Sequence, residues 1–388
     1  MPRHPRVAAT TESLSSGVFS QLVQKAREHT GRVFPLHVGD TYMDPFPAAR
    51  AEAQRTDDHH RLHNYAPVQG EPALLEAIAR RIEKRTGERP SVERIQVMSG
   101  ATAGLSVVCA TILDHGDEVI VPAPFWPLIR GIVASRGGVP VQLPFLDRLA
   151  DPSFDPERAV EQAITDRTVA LYLNTPSNPT GAVIPAAVIG ALLRVARKHD
   201  LWVLCDEAYE ELWFTEERPA PVWAHPLARD RAIATHTLSK GYGLAGARVG
   251  FTHGPDDVMR TIRGVQTFQT YCAPRPMQLG AVRALDEGDA WLEHARAAYR
   301  AAGYEAADAL GVARPAGGTF LFFDASPHMD EGEPVIGFLE RCLDAGVLLT
   351  PGGACGRDYE RWVRVCFTSV PPDELHEALE ALRPVLRR

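Results

Sequence analysis

The 388-residue sequence lacks three things: an excess of basic residues, long apolar runs and paired cysteines. It holds 41 Lys and Arg against 49 Asp and Glu, a net charge of −8, so no basic surplus is present to neutralise nucleic-acid phosphates. The longest apolar stretches, such as Leu105–Leu113, fall short of the about 20 residues that a membrane-spanning helix needs. We therefore expect neither nucleic acid nor membrane as a partner.

Cysteine usage favours a reducing compartment. The six cysteines are scattered and none forms a C-x-x-C pair, as is typical of small buried side chains in an intracellular protein. Residues 1–19 include arginine but no continuous apolar segment, so they do not resemble a signal peptide. The sequence therefore predicts a cytoplasmic protein.

The sequence does contain a regular alternation of strand-like and helix-like segments. Six short runs indicate strands: Arg94–Met98, Glu118–Val121, Val139–Leu143, Val169–Leu173, Trp202–Cys205 and Ala232–Thr235. Five helical patterns accompany them: Glu71–Arg85, Ala103–Leu113, Trp126–Arg136, Pro156–Ile164 and Pro185–His199. Mostly apolar strands that alternate with helices predict an α/β fold, with a mainly parallel but mixed sheet flanked by helices.

The pattern changes near Gly280. A long helical stretch, Gln278–Leu310, is followed by strand-like and helical segments in an α+β order. This change predicts a large domain over residues 46–280 and a smaller α+β domain built from residues 1–45 and 281–388.

Polar residues follow the predicted strands, and ligands bind beyond the carboxyl ends of strands in open parallel sheets. Lys240 lies in such a loop, where a lysine whose pKa is lowered can form a Schiff base. Asp206 ends an apolar strand, so it either meets a protonated pyridine nitrogen or caps a following helix. Tyr209, three residues on, would point the same way on a first helical turn.

Further polar and aromatic residues could hold an anionic, planar ligand. Asn178 precedes a proline, which fixes the direction of its amide. Arg248 and the helix start at Ala101–Thr102 suit a phosphate, and Trp126 could stack on a ring. Each of these residues taken alone has an ordinary alternative in core packing, turn formation or surface solvation.

Taken together, these segments resemble a fold-type-I pyridoxal-phosphate enzyme of the class I/II aminotransferase family. The resemblance covers nearly the whole chain in the family's order. The matching segments are Val38–Asp40, Asn64–Gly70, Ser99–Thr102, Pro124–Trp126, Asn178–Gly181, Asp206–Tyr209, Thr237–Gly250 and Trp362–Val365.

The resemblance implies pyridoxal 5′-phosphate as cofactor and assigns roles around it. Lys240 would be the Schiff-base lysine and proton shuttle, and Asp206 would hold the pyridine nitrogen protonated. Asn178 and Tyr209 would bond the ring oxygen, and Trp126 would stack on the ring. The phosphate would be held by Ala101, Thr102, Thr237, Ser239 and Arg248.

The resemblance also implies substrates and a partner. Arg364 would bind the substrate α-carboxylate, helped by Asn178 and the Gly39 backbone, with Trp126 beside the substrate. Tyr65 would reach the phosphate in a neighbouring copy, because sites in this family form between two protomers. We therefore expect a homodimer with shared active sites that transfers an amino group from an L-amino acid to a 2-oxo acid by a ping-pong mechanism.

Three positions at which the sequence differs from members of the family indicate which amino acid is the amino donor. Thr102 stands where a subgroup that acts on acidic substrates has a lysine, and Phe268 aligns where another subgroup has an arginine, although a shifted alignment could bring in Arg275. The late loop Pro351–Gly356 lacks the aromatic residue of many members. We therefore expect a neutral or apolar amino acid rather than aspartate.

Several alternatives remain open at this point. A C–S β-lyase or related elimination enzyme uses the same lysine, aspartate and arginine, and a non-catalytic regulatory module could keep the fold. Gly241–Gly246 matches G-x-G-x-x-G but lacks an acidic residue at the spacing that dinucleotide binding needs. His59 and His63 are four residues apart, but no third metal-ligand motif accompanies them.

Overall fold

The computed structural model describes residues 7–12, 14 and 20–386. The strands are β1 (Ile95–Met98), β2 (Glu118–Ala123), β3 (Val139–Pro144), β4 (Thr168–Asn174), β5 (Trp202–Asp206), β6 (Ala232–Thr237), β7 (Gly250–His253), β8 (Phe320–Asp324), β9 (Thr350–Pro351) and β10 (Trp362–Cys366). The α-helices are α1 (Ala9–Glu12), α2 (Ser20–Glu28), α3 (Pro72–Thr86), α4 (Ala101–Ile112), α5 (Leu128–Ser135), α6 (Pro156–Ala163), α7 (Ala186–Lys198), α8 (Asp256–Gln269), α9 (Arg275–Glu287), α10 (Asp289–Leu310), α11 (Val335–Asp344) and α12 (Pro372–Leu386).

Seven strands form the large sheet, in the order β1-β7-β6-β5-β4-β2-β3. All neighbouring pairs are parallel except those of β7, which runs antiparallel to both β1 and β6. The α/β fold with a mainly parallel, mixed sheet is therefore confirmed. The sequence did not predict β7, because its four residues begin with glycine and lack the apolar run of the other strands.

Helices cover both faces of this sheet. Val107 of α4, Ile129 of α5 and Met259 of α8 pack in one buried cluster with strand residues. Val160 of α6 and Leu192 of α7 pack in another on strand residues of opposite orientation. Burial on both faces explains why these strands carry continuous apolar runs rather than alternating patterns.

The helix α6 shows how local sequence positions an element. Asp155 accepts a hydrogen bond from the Arg158 N–H through Oδ1 at 3.0 Å, and Pro156 occupies the first helical position. This arrangement is the N-cap that the Asp-Pro pair predicts, because proline needs no acceptor for an amide it lacks.

The C-terminal third has the predicted α+β character. Its three-stranded antiparallel sheet has the order β8-β10-β9. Helices α10, α11 and α12 pack in one cluster with these strands. N-terminal residues join them, since Phe34 forms a parallel bridge with Val347. The strand-like run at Val347–Thr350 contributes only its last residue to β9.

The prediction of a single long helix over Gln278–Leu310 was wrong. The structure has two helices, α9 and α10, separated by Gly288. A Cβ at Gly288 would lie 2.4 Å from the Ala284 carbonyl oxygen, so the close turn needs glycine. Asp289 then starts α10, where its carboxylate meets Lys84 at 2.5 Å. An acidic residue favours a helix start because it interacts with the helix dipole.

The described ranges 7–12, 14 and 20–386 include no helix that is both long and apolar enough to span a membrane.

Candidate active site

A cavity of about 220 Å³ lies at the carboxyl ends of the central strands. Its walls come from both sheets and from the N-terminal segment. The lining residues are Gly39, Ala101, Thr102, Trp126, Asn174, Asn178, Asp206, Ala208, Tyr209, Thr237, Ser239, Lys240, Ala245, Arg248, Phe320 and Arg364.

Asp206 supplies a buried carboxylate to this cavity from the end of β5. Its Oδ2 accepts the Tyr172 hydroxyl hydrogen at 2.6 Å, and its Oδ1 accepts the Ala208 N–H at 3.2 Å. Residues 208–211 form a turn and not a helix, so the helix-cap alternative for Asp206, and the helical placement of Tyr209, were wrong. Burial raises the pKa of Asp206 to about 6, against the lowering effect of the Tyr172 and Ala208 hydrogen bonds.

Asn178 links the cavity's two ends through its side-chain amide. Its Nδ2 donates to the Tyr209 hydroxyl at 3.2 Å, and its Oδ1 accepts from Arg364 Nη1 at 3.0 Å. Asn174 holds the loop, because its Oδ1 accepts the Asn178 N–H at 2.8 Å while its Nδ2 donates to the Asp206 carbonyl at 2.9 Å. The Asn174–Gly181 segment is therefore fixed to β5.

One end of the cavity has the features of an anion site. Helix α4 begins at Ala101 after Gly100, which has a φ of +83°, and no side-chain cap accepts from the first amides of the helix. Arg248 Nη2 donates to the Ser99 carbonyl at 3.2 Å. A Cβ at Gly100 would lie 2.4 Å from Arg248 Nη2. Nearby, the Thr237 and Ser239 hydroxyl oxygens are 2.8 Å apart.

Lys240 projects into the cavity between these groups. Its Nζ donates to the Gly39 carbonyl. Burial lowers the pKa of Lys240; Asp40 and Cys366 act against this, while Arg248 and Arg364 lower the pKa further. A lysine with a lowered pKa is a better nucleophile at neutral pH, because more of it is the free amine.

Two of the cations at the cavity have no acidic partner among the described residues. Arg364 is 5% exposed, yet within the described part of the chain no carboxylate lies within 4 Å of its guanidinium. Instead it contacts Asn178, the His37 carbonyl and the face of the Phe320 ring, at 4.2 Å. Arg248 likewise bonds only carbonyl oxygens among these residues. Arg364 is thus a buried cation without a counterion, which favours an anionic ligand, whereas Arg248 is exposed at the edge of the cavity.

The structure brings together every predicted site residue except Tyr65. Tyr65 is 81% exposed, lies outside the cavity and packs edge-on against Tyr271 at 5.1 Å. Sequence reasoning missed Tyr172 and Phe320, because both lie in apolar strand runs that indicate core packing. Asn174, at the end of β4, also lines the cavity and is not among the residues that the sequence predicts.

The two residues considered for a distal carboxylate lie elsewhere. Arg275 Nε donates to Glu71 Oε1 at 2.6 Å, and its Nη1 bonds the His60 carbonyl at 3.1 Å. Phe268 is 93% exposed on α8. Neither residue lines the cavity.

Comparison with known proteins decides the family. The family model described as aminotransferase class I and II matches residues 32–382. The chain belongs to this aminotransferase family. It is an aminotransferase that depends on pyridoxal phosphate.

Individual relatives agree with this assignment. The aminotransferase is 33% identical to an aspartate/prephenate aminotransferase of Thermus thermophilus, over 99% of this chain and 98% of the relative. It is also 33% identical to an arginine–pyruvate transaminase of Pseudomonas aeruginosa, over 85% and 84% of the two chains.

Solved structures show the same fold. A single mutant of Thermus thermophilus aspartate aminotransferase superposes with a TM-score of 0.89 at 30% identity, covering 99% of this chain and all of that one. The aspartate aminotransferase of Rhizobium meliloti gives a TM-score of 0.90 at 26% identity, with coverage of 99% and 100%.

The cavity of the aminotransferase has the chemistry that pyridoxal phosphate requires. A helix N-terminus, two hydroxyls and Arg248, which has no acidic partner among the described residues, match a phosphate. The buried Asp206 carboxylate matches a protonated ring nitrogen, and the Lys240 amine matches the aldehyde. The residues present therefore fit the cofactor.

Proposed function

We propose that this aminotransferase moves an amino group from a neutral or apolar L-amino acid to a 2-oxo acid by a ping-pong mechanism. The observation that carries the proposal is Arg364, a buried guanidinium with no carboxylate partner among the described residues, in the same cavity as Lys240. A planar guanidinium binds a carboxylate through two parallel hydrogen bonds, so Arg364 suits the α-carboxylate that amino acids and 2-oxo acids share.

The cofactor-binding roles follow from what each side chain presents to the cavity. Asp206 would hold the ring nitrogen, Asn178 and Tyr209 the ring oxygen, and Trp126 the ring face. The phosphate site combines helix amides, hydroxyls and one cation, and its members are Ala101, Thr102, Thr237, Ser239 and Arg248. Bound pyridoxal phosphate supplies an aldehyde that captures amines and a ring that accepts electrons from the substrate Cα.

Lys240 is proposed to move the proton. Burial lowers the pKa of its ammonium, so the free amine can accept the proton from the substrate Cα and later return it. Arg364, Asn178 and the Gly39 backbone would fix the substrate carboxylate, which holds the Cα within reach of the amine. This positioning reduces the entropy that the reaction must lose at the transition state.

The proposal of a neutral or apolar amino donor rests on the number of cations that line the cavity. Within the described part of the chain, the cations at the cavity are Lys240, Arg248 and Arg364, and each has a role above. No further cation among the described residues lines the cavity to bind a side-chain carboxylate, and Arg275 is held by Glu71. A second carboxylate of aspartate would therefore be desolvated without a partner among the described residues, which is costly.

A homodimer is proposed as the working assembly. Tyr65 is exposed beside Tyr271, and Phe268, three residues before Tyr271, exposes nearly its whole side chain. Exposed aromatic side chains are enriched at protein interfaces. In such a dimer Tyr65 would reach the phosphate site of the partner copy. A cytoplasmic location and the two-domain division at residues 46–280 also remain predictions.

The proposal is tested by an absorbance titration of the purified, cofactor-loaded chain with single L-amino acids. We expect alanine, methionine, leucine or phenylalanine to convert the visible cofactor band to the amine form, and a 2-oxo acid to restore it. Fast conversion by aspartate beside slow conversion by these donors would contradict the donor class. Regeneration of the band without an oxo acid, with release of ammonia, would show elimination instead of transfer.

A further inference from the structure

Tyr172 forms the shortest side-chain contact that Asp206 makes. The two residues lie on the adjacent parallel strands β4 and β5, near the strand ends that face the cavity. The Tyr172 hydroxyl donates to Asp206 Oδ2 at 2.6 Å, and both residues are almost fully buried. Tyr172 itself does not line the cavity, so it lies behind Asp206 as seen from the ligand.

We propose that Tyr172 is a positioning residue for the cofactor: its hydroxyl fixes the orientation of the Asp206 carboxylate and favours its ionised form. The inference rests on the proposed function, because it concerns how Asp206 would hold the ring nitrogen. It adds a residue outside the cavity to those that determine cofactor binding.

The hydrogen-bond inventory of Asp206 supports this role. Its carboxylate has two donors among the described residues, the Tyr172 hydroxyl on Oδ2 and the Ala208 N–H on Oδ1. Each carboxylate oxygen has two lone pairs, so both bonds leave acceptor capacity free. Because these two donors fix the carboxylate, and Asp206 lines the cavity, its remaining lone pairs are available to a ligand there without a change of rotamer.

Tyr172 acts as a donor and keeps its proton. Burial raises the pKa of Tyr172 well above its ordinary value, and the negative charge of Asp206 raises it further. A neutral donor stabilises the carboxylate relative to the acid, which opposes the effect of burial on the pKa of Asp206. Without this bond, more of Asp206 would be protonated near neutral pH and unable to accept from a protonated ring nitrogen.

The other titratable groups around this pair do not supply a positive charge in its place. On the β5 side these are Cys205, Glu207 and Tyr209, and from α4 Cys109 faces Tyr172. Glu207 adds negative charge when ionised, and burial raises its pKa to about 7. Tyr172 is therefore the main side-chain group that favours the charged form of Asp206 in the cofactor-free chain.

The test compares the pyridoxal-phosphate dissociation constant of cofactor-free wild type, Tyr172→Phe and Tyr359→Phe between pH 5.5 and 8.5. Phenylalanine keeps the buried ring and removes only the hydroxyl. Tyr359→Phe is the matched control, since it removes a similar bond, at 2.8 Å, to Asp147, which does not line the cavity. Tyr172→Phe is repeated in an Asp206→Asn background, and thermal unfolding checks that all variants fold.

We expect Tyr172→Phe to raise the dissociation constant about tenfold at pH 7, since it leaves a buried carboxylate oxygen without its donor. The difference should grow at lower pH, Tyr359→Phe should match wild type, and Tyr172→Phe should have no further effect once Asp206 is Asn. An unchanged constant and pH profile, or the same loss in the Asp206→Asn background, would overturn the inference while leaving the proposed function intact. Failure of the wild-type chain to bind the cofactor would overturn both.

Discussion

Arg364 and Asn178 are joined by a hydrogen bond of 3.0 Å that links the small antiparallel sheet to the loop after β4. Arg364 lies on β10, and Asn178 also bonds the Tyr209 hydroxyl at the end of the large sheet. A single amide thus connects the proposed carboxylate-binding group to the proposed cofactor-binding group. In the proposed function, this connection would give the substrate a fixed position relative to the cofactor ring.

Replacement of Arg364 tests the carboxylate site. We expect Arg364→Ala to lower kcat/KM for every donor by roughly 30-fold or more, because truncating one partner of a buried charged pair costs at least about 2 kcal/mol. Steady-state kinetics with several amino acids measure the loss, and pyridoxal-phosphate binding should change little. Arg361→Ala, nearby on the chain but bonded to Ser326 on the outside, is the control. Equal kcat/KM in wild type and Arg364→Ala would show that Arg364 does not bind the substrate carboxylate.

Replacement of Lys240 tests the proton-moving amine. Lys240→Ala should keep part of its cofactor affinity, because Asp206 and the phosphate site remain, but amino-group transfer should fall by at least about 10²-fold through loss of the general base. Single-turnover absorbance measurements separate these two effects. Lys198→Ala removes a surface lysine paired with Glu161 and should behave as wild type. Wild-type turnover in Lys240→Ala would refute the assignment.

The proposed phosphate site requires glycine at position 100, because a side chain there would contact Arg248. Gly100→Ala would place a Cβ 2.4 Å from Arg248 Nη2 and force a φ of +83° on alanine. We therefore expect the pyridoxal-phosphate dissociation constant to rise by about tenfold or more as Arg248 is displaced. It is measured by fluorescence titration of the cofactor-free protein.

Gly311→Ala is the matched control for the backbone strain that a positive φ imposes on alanine. Gly311 also has a positive φ, +68°, but a Cβ there would meet nothing within 4 Å. It should lower stability without changing cofactor affinity. Similar affinity losses in both variants would show that general destabilisation, and not the contact with Arg248, is responsible.

The raised pKa of Asp206 predicts how stability depends on pH. Its pKa in the folded, cofactor-free chain is about 6, above the roughly 3.9 of an unfolded chain. The contribution of Asp206 to folding is therefore fully present below about pH 4 and is lost as the pH rises through about 6. Asp206→Asn cannot ionise, so at pH 7.5 it should be more stable than wild type by up to about 3 kcal/mol.

Urea unfolding of the cofactor-free proteins at pH 4.5 and 7.5 measures this effect. The gain from Asp206→Asn should shrink at the lower pH, whereas the exposed Asp257→Asn should show no such dependence. A gain of equal size at both pH values would mean that ionisation of Asp206 is not the cause.

The dimer proposal predicts that a charge introduced at the exposed Phe268 weakens self-association. Phe268→Asp should weaken self-association, because it places a charge among exposed aromatic side chains. Sedimentation velocity over a range of protein concentrations measures the change. Val139→Asp, at an exposed position on the edge strand β3, is the control. A monomeric wild-type chain, or an unchanged association in Phe268→Asp, would contradict the proposed interface.

The sequence by itself indicated six of the seven strands of the large sheet, most helices and the residue types that line the candidate site. Apolar runs such as Trp202–Cys205 indicate buried strands because both faces of a parallel strand are covered, and the polar residues after them fall at the carboxyl ends. Motif order around Lys240 and Asp206 indicated the family. These features are local, since they depend on side-chain periodicity and on residue type next to a strand end.

Only the tertiary structure decided which residues meet. Tyr172 lies in an apolar run, yet strand pairing places its hydroxyl on Asp206, 34 positions along the chain. Phe320 and Arg364 pack against each other because β8 and β10 pair. Arg275 forms an ion pair with Glu71 and does not line the cavity, so it is not placed to bind a side-chain carboxylate there. Such contacts join residues far apart in the chain, so no local pattern specifies them.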